Sequence, residues 1–186
     1  MINLRKAEIK DTEKILEFYQ KVIESNKDSE FKPKWSRYYP NLEYIETSIE
    51  NGELYIYTEN DNIIASVVLN NRFNPEYEDI NWNVSAKLDE ITIIHTFAVD
   101  SNFAGKGIGK EIFRQIKENA IKNNQKTIRI DIINGNIGAQ KVFEKLGFEY
   151  IGTVDVFHKA VGLEKFHLYE LALIKKKEKI NDKIIY

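Results

Sequence analysis

Three glycines at alternate positions, Gly105, Gly107 and Gly109, stand where an apolar run gives way to an amphipathic segment. The apolar run, residues 91–99, is rich in β-branched side chains and predicts a strand. The segment after the glycines predicts a helix from Ile108. Glycines let a backbone approach an anion closely, and the free N–H groups and dipole of a helix N-terminus favour negative charge. The pattern therefore predicts a cradle for a phosphate-bearing ligand.

The spacing of these glycines excludes the two best-known phosphate loops. A Walker loop needs glycine at position 104 and Ser or Thr at position 111, where this chain has Ala104 and Glu111. A dinucleotide fingerprint needs a third glycine where Lys110 or Ile112 stands. The alternative without a ligand is a tight turn between strand and helix. That alternative is less favoured, because each glycine costs about 1 kcal/mol in a helical position.

The residues after this turn continue an alternation of helix and strand. Apolar spacing predicts a helix over residues 108–123, and apolar alternation predicts a strand over Thr127–Ile133. Asn136 is expected to cap a further short helix, with Gly147 as the glycine just past its end. A strand is expected to begin at Phe148.

This order of elements resembles the GNAT superfamily of acetyl-CoA-dependent N-acetyltransferases, most strongly over residues 91–152. The family's pyrophosphate loop reads Gln/Arg-x-x-Gly-x-Gly/Ala; Gly107 and Gly109 match its glycines, whereas Ala104 replaces the usual long polar residue. A later family segment is matched at Asn136, Ala139, Glu144, Lys145, Leu146, Gly147 and Phe148. The resemblance implies an α/β (α+β) fold, with a mixed central sheet of about six to seven strands flanked by helices.

The resemblance also implies acetyl-CoA as co-substrate and assigns residues that hold it. In relatives, the strand before the glycine loop splays from its neighbour, so its backbone pairs with the pantetheine arm and an N–H polarises the acetyl oxygen. Here those positions are Phe97, Ala98 and Val99. Asn136 and Phe143 belong to the same expected site. The loop residues expected to bind the pyrophosphate are Gly105, Lys106, Gly107, Ile108, Gly109 and Lys110.

Two positions depart from the catalytic pattern of the family. Ile93 stands where some relatives carry a glutamate base, and Phe143 stands where many carry a tyrosine that protonates the departing thiolate.

His95 is a candidate base because its reference pKa of about 6.5 suits proton uptake at neutral pH. Strand alternation would place His95 on the same face as Phe97 and Val99.

Two further residues are candidates for proton transfer. Glu90, just before the strand, would act as a base through a water molecule. Tyr169, on an alternating final strand over residues 165–174, would replace the acid missing at Phe143. For His95 and Tyr169 the alternative is a structural side chain packed in the sheet. No metal site is expected, because the three histidines lack the spacing of metal ligands.

The N-terminal half predicts the elements that complete the sheet and the first helices. A strand is expected over residues 2–7, followed by a helix capped by Asp11 and a second helix capped by Asn41. Two apolar runs flank the turn at residues 60–62 and predict a β-hairpin.

Two long loops carry aromatic residues that suit an acceptor site. Aromatic rings can form the floor of a pocket and can stack on a cationic amine. Trp35 and Trp82 are therefore the preferred acceptor-binding candidates. The alternative is that these rings anchor the loops, residues 27–40 and 70–89, to the sheet. The acidic residues near Trp82 are consistent with a basic acceptor and equally with a solvated surface: Glu76, Glu78, Asp79, Asp89 and Glu90.

Length and composition set the broad class of protein. A chain of 186 residues can form one core that buries roughly 70% of its unfolded surface, so residues 1–174 are expected to form a single domain. Residues 175–186 are expected to form a charged tail. Cysteine is absent, which excludes thiol nucleophiles and disulfides.

Charge and hydropathy limit the partners and the location. A net charge of −2 argues against nucleic acid as the main partner, and no apolar run approaches the ~20 residues of a membrane span. The N-terminus lacks the apolar segment of a signal peptide, so the cytoplasm is the expected location. The apolar end at residues 184–186 would suit docking on a second copy, which makes a homodimer one expectation.

These observations predict an N-acetyltransferase that moves an acetyl group from acetyl-CoA to a primary amine by direct attack. The acceptor is expected to be a small molecule or a peptide. The alternative is a non-catalytic module that binds acyl-CoA without turnover, because Ile93 and Phe143 replace the base and acid of relatives.

Overall fold

The strands form one mixed sheet in a computed structural model, which describes residues 3–29, 34–36, 38–158 and 162–173. Their bounds are β1 (Arg5–Lys6), β2 (Leu54–Glu59), β3 (Asn62–Asn70), β4 (Ile91–Val99), β5 (Thr127–Ile133), β6 (Glu149–His158) and β7 (Gly162–Ala172). The order across the sheet is β1-β2-β3-β4-β5-β7-β6. All neighbouring strands are antiparallel except β4 and β5, which run parallel. This agrees with the predicted sheet of about six to seven strands.

Helices cover both faces of the sheet. The α-helices of the described residues are α1 (Thr12–Ser25), α2 (Leu42–Glu50), α3 (Ile108–Lys122) and α4 (Ile137–Lys145). The buried apolar side chains of α1 and α2 pack on one face, and those of α3 and α4 pack on the other. Residues 71–90 contain two short 3₁₀ turns and pack on β6 and β7 through Tyr77, on the α1/α2 face.

Two of the three predicted helix caps are confirmed. The side chain of Asn41 accepts a hydrogen bond from the N–H of Tyr44 (2.9 Å), and that of Asn136 accepts one from the N–H of Ala139 (3.2 Å). Asp11 occupies the N-cap position of α1 as predicted, but its side chain makes no capping hydrogen bond, because its carboxylate binds the Arg5 guanidinium (2.8 and 2.9 Å).

Strand β4 pairs with β5 only at its start. The parallel pairing joins Ile91–Ile94 to the first four residues of β5, and beyond Ile94 the β5-facing edge of β4 has no strand partner among the described residues. The splayed strand expected from the resemblance is therefore present.

A β-bulge in the second half of β4 changes the face on which His95 lies. Thr96 and Phe97 together oppose the single residue Val67, and Thr96 has a φ of 45°, a region that β-branched residues rarely adopt. His95 consequently pairs with Val68 on the α1/α2 face, whereas the Phe97 side chain packs on the α3/α4 face. The prediction that they share a face is wrong, because the extra residue breaks the alternation.

Two tyrosine hydroxyls hold this bulge. The hydroxyl of Tyr19 donates to the Thr96 carbonyl oxygen (2.9 Å), and the hydroxyl of Tyr44 lies 3.3 Å from Thr96 Oγ1.

Among the described helices, none combines the length and apolar character needed to cross a bilayer. The predicted tail, residues 175–186, lies outside the described residues.

Candidate active site

A cavity of about 340 Å³ lies where β4 and β5 separate, and its lining comes from both faces of the sheet. We call the lining residues on the α1/α2 face the tyrosine side: Tyr39, Tyr44, Tyr77, His95 and Asp131. We call those on the α3/α4 face the phenylalanine side: Phe97, Asn136, Ala139 and Phe143. A ligand in this gap would contact polar groups at one end and apolar rings at the other.

The glycine turn lies at the start of α3 with the geometry of an anion cradle. Gly105 (φ 74°) and Gly107 (φ 77°) adopt the left-handed region, and a Cβ added at either would meet no atom within 4 Å. The first-turn N–H groups of Ile108, Gly109 and Lys110 have no acceptor within the helix. Open space therefore adjoins backbone N–H groups that have no acceptor within the helix.

Close packing joins this turn to the end of β4. A Cβ added at Gly109 would lie 3.6 Å from Val99 Cγ2 and 4.0 Å from Phe97 Cζ. The backbone donors of α3 and the unpaired edge of β4 are consequently neighbours. A long ligand could therefore extend from the glycine turn into the cavity.

Phe143 is buried on the phenylalanine side in a cluster of aromatic rings. Its ring centroid lies 5.2 Å from that of Phe148 and 6.5 Å from those of Phe97 and Phe113. The position expected from the resemblance is therefore at the cavity, with a side chain that cannot donate a proton.

A hydrogen-bond network fixes the tautomer of His95. Asn70 Nδ2 donates to a Glu53 carboxylate oxygen (3.2 Å), and Asn70 Oδ1 accepts from the N–H of Arg72 (3.0 Å), so the amide orientation is determined. His95 Nε2 lies 2.9 Å from that same Oδ1 and must therefore carry the proton. Nδ1 is left with a lone pair and has no hydrogen-bond partner among the described residues.

Burial lowers the pKa of His95, and the nearby charge of Asp131 acts in the opposite direction without overcoming it. The imidazole is therefore neutral at pH 7, because the folded pKa lies below the ordinary value of about 6.5. A neutral, oriented imidazole with a free lone pair is equipped to accept a proton.

An NMR titration tests the charge state of His95. We expect its ring protons to titrate with a pKa below 6.5, because burial disfavours the charged form. The His95→Ala variant assigns the resonance by removing it. A midpoint at or above 6.5 would show that the site stabilises the imidazolium.

Asp131 is a carboxylate that lines this cavity and that sequence analysis did not single out. The Tyr77 hydroxyl donates to Asp131 Oδ2 at 2.6 Å, and burial together with that negative charge raises the pKa of Tyr77. The phenol therefore stays protonated and keeps its hydrogen bond. A signal was available, since Asp131 interrupts the apolar strand Thr127–Ile133 with a carboxylate.

Neither Glu90 nor Tyr169 lines the cavity. Glu90 lies at the start of β4, where the Lys126 ammonium (2.8 Å) binds its carboxylate and lowers its pKa. Tyr169 is buried in the core beneath α4, and its hydroxyl donates to Glu144 (3.3 Å). Long-range pairing places both candidates away from His95, so the structure does not support their proposed catalytic roles.

Both candidate tryptophans line the cavity, in different settings. The Trp35 ring meets Tyr19 edge-to-face at 5.6 Å. One face of the Trp82 ring is covered by the Arg129 guanidinium at 4.1 Å, and Arg129 pairs with buried Glu170 at 2.8 Å. Trp82 therefore anchors residues 71–90 to the sheet, which was the structural alternative, while Trp35 remains a candidate for contact with an acceptor.

Across the described ranges, no group of three acidic or histidine side chains converges as ligands for a metal ion.

Sequence comparison decides the family. Residues 16–148 match the profile of the Acetyltransferase (GNAT) family. The chain belongs to the GNAT family. The predicted family and the predicted mixed-sheet fold are confirmed by this match and by the topology of the strands.

Individual relatives match parts of the chain. An uncharacterized N-acetyltransferase of Methanocaldococcus jannaschii is 27% identical over 140 residues, which are 75% of this chain and 57% of that protein. The N-acetylaspartate synthetase of Xenopus tropicalis is 36% identical over 67 residues, 36% of this chain and 25% of that protein. The chain thus spans from a quarter to little more than half the length of these relatives.

Solved GNAT structures share the whole fold. An acetyltransferase of the GNAT family from Streptococcus agalactiae has a TM-score of 0.72 and 19% identity, covering 94% of this chain and 96% of that one. A Salmonella typhimurium protein solved with its cofactor acetyl-CoA has a TM-score of 0.64 and 15% identity, covering 95% and 96%. At these identities the likeness concerns the fold.

Proposed function

We propose that this GNAT protein transfers the acetyl group of acetyl-CoA to a primary amine, with His95 as the general base. The observation that carries the proposal is the neutral imidazole of His95, which lies in the gap between β4 and β5 with Nδ1 free. The backbone edge that would hold the thioester borders the same gap.

The residues of the phenylalanine side and the glycine turn fit acetyl-CoA. The N–H groups of residues 105–110 bind the pyrophosphate, and each charge-assisted hydrogen bond contributes roughly 1.5–3 kcal/mol. The unpaired edge of β4, at Phe97, Ala98 and Val99, pairs with the pantetheine arm as an added strand would. Asn136 and Phe143 border the acyl end, since both line the cavity.

His95 removes the proton that the amine loses on attack. The amine nitrogen forms a bond to the acetyl carbon, His95 Nδ1 takes the proton, and the carbon–sulfur bond breaks to release the CoA thiolate. The Nε2–H bond to Asn70 holds the ring throughout, because Glu53 and the Arg72 N–H orient that amide. A thiol pKa of about 8.5 lets the thiolate leave near neutral pH without a strong acid.

Release of CoA thiol in the presence of a panel of amines tests the proposal. We expect release that depends on the amine and saturates with acetyl-CoA. A binding module remains the second candidate, because Ile93 and Phe143 carry neither base nor acid. Acetyl-CoA binding without amine-dependent release from any member of the panel would favour that module.

The glycine turn gives a prediction about cofactor affinity. Gly107→Glu should weaken acetyl-CoA binding by 100-fold or more in calorimetry, because a carboxylate would face the pyrophosphate and the left-handed backbone disfavours a side chain. Gly135→Ala provides a control, since Gly135 also has positive φ (92°) but lies outside the turn. Equal affinity in Gly107→Glu and the unchanged protein would remove the turn from the site.

A tyrosine at position 143 should restore the acid that this chain lacks. We expect Phe143→Tyr to raise kcat several-fold with little change in acetyl-CoA affinity, because its ring already lines the cavity. Steady-state kinetics and calorimetry on the same preparation separate the two effects. A fall in kcat with unchanged folding would show that the aromatic cluster cannot accept the hydroxyl productively.

A further inference from the structure

Each positive side chain that the structure describes in the cavity lining is paired with a carboxylate. Lys34 pairs with Glu164 (2.6 Å), and Arg129 pairs with Glu170 (2.8 Å). Arg72 pairs with Glu53 through both guanidinium nitrogens. Among the lining residues that the structure describes, these three pairs therefore contribute no net positive charge.

Asp131 differs from these groups because it has no cationic partner among the described residues. It is also the only acidic side chain among the lining residues that the structure describes. Its one hydrogen-bond donor there is the neutral hydroxyl of Tyr77. A partly buried carboxylate left without a counter-charge is costly, so a positive group that reached it would be bound favourably.

The rings around Asp131 are suited to a cation. Burial raises the pKa of Tyr39, Tyr44 and Tyr77, and the charge of Asp131 raises each further, which keeps all three phenols neutral. The ring centroids of Tyr39 and Tyr44 lie 5.1 Å apart, and both residues line the cavity. Aromatic faces beside a carboxylate recognise ammonium groups through combined cation–π and ionic attraction.

We propose that Asp131 binds a second, non-reacting ammonium of the acceptor, so that the preferred acceptor class is an alkyl diamine or polyamine. This inference rests on the proposed function and adds the substrate class. One amine attacks the acetyl carbon in its neutral form and passes a proton to His95 as the bond forms, while the other stays charged between Asp131 and the tyrosine rings. The two groups suit these roles, since Asp131 and His95 line the same side of one cavity.

Binding of two matched amines tests the proposal without any turnover. Calorimetry would compare 1,4-diaminobutane with 1-aminobutane, using the full chain saturated with CoA. We expect the diamine to bind about 10- to 100-fold more tightly, as one additional charge-assisted contact predicts. Equal affinities in the unchanged protein would overturn the proposal, whether or not the protein transfers acetyl groups.

A charge-neutral variant then assigns the preference to Asp131. Asp131→Asn should reduce the ratio of the two affinities to about one, whereas Asp155→Asn, an exposed carboxylate on β6, should preserve it. An unaltered acetyl-CoA affinity verifies that each variant is folded. A preference that survives in Asp131→Asn would overturn the assignment. So would equal weakening of both amines, because Asp131 would then act on the reacting amine.

Discussion

Replacing His95 with alanine should lower kcat by about 10²–10⁴-fold, the range typical for removal of a general base. Affinity for acetyl-CoA should stay within a factor of about two, because the glycine turn and the edge of β4 do not involve this ring. Steady-state kinetics with a reactive amine, together with calorimetry for acetyl-CoA, measure both quantities. The expected pattern is a loss of turnover with binding retained.

His167→Ala is the matched control for that substitution. His167 is also partly buried, but its ring bonds Thr153 and Asn134 outside the cavity, so kcat should change little. An unchanged kcat in His95→Ala would show that water, and not His95, accepts the proton from the amine. Proportionate loss of folding, binding and turnover would instead show that His95 is structural.

Glu170→Gln should lower the free energy of unfolding by about 3–5 kcal/mol, because it leaves the buried Arg129 guanidinium without its counter-charge. The Glu170 carboxylate also accepts from the N–H of Val84 (3.0 Å) and from Thr127 Oγ1 (3.1 Å). It therefore ties residues 71–90 to the sheet. Urea denaturation at pH 7 measures the change, which is large against a typical total of 5–15 kcal/mol.

An exposed ion pair supplies the control for this prediction. Lys165 and Asp155 pair at 2.9 Å with both side chains more than half exposed, so Asp155→Asn should cost less than about 1 kcal/mol. Similar losses in Glu170→Gln and Asp155→Asn would mean that burial of the Arg129 pair adds nothing to stability.

Local patterns were sufficient to predict the elements around the glycine turn and the phenylalanine side. Strand Thr127–Ile133 was predicted with its observed bounds, because apolar alternation depends only on neighbouring residues. The start of α3 at Ile108 and the cap at Asn136 followed from glycine and asparagine chemistry within a single turn. Each of these signals depends on only a few consecutive residues.

The tyrosine side depended on contacts that no local pattern contains. The bulge that turns His95 away from the face of Phe97 is held by Tyr19 and Tyr44, which are distant in sequence. The partner of Asp131, Tyr77, comes from a loop without regular periodicity. Tertiary contacts therefore decided the direction of the His95 side chain and the surroundings of Asp131.

The fate of a labelled acetyl group tests direct transfer to an amine most directly. The protein would be incubated with ¹³C-acetyl-CoA and 1,4-diaminobutane. The masses of the amine product and of the intact protein would then be measured by mass spectrometry. We expect labelled N-acetyl-diamine in equal amount to released CoA, with no label on the protein, which has no cysteine to carry it. Saturated acetyl-CoA binding with no labelled amine from any primary amine, or label that passes first through the protein, would contradict direct acetyl transfer.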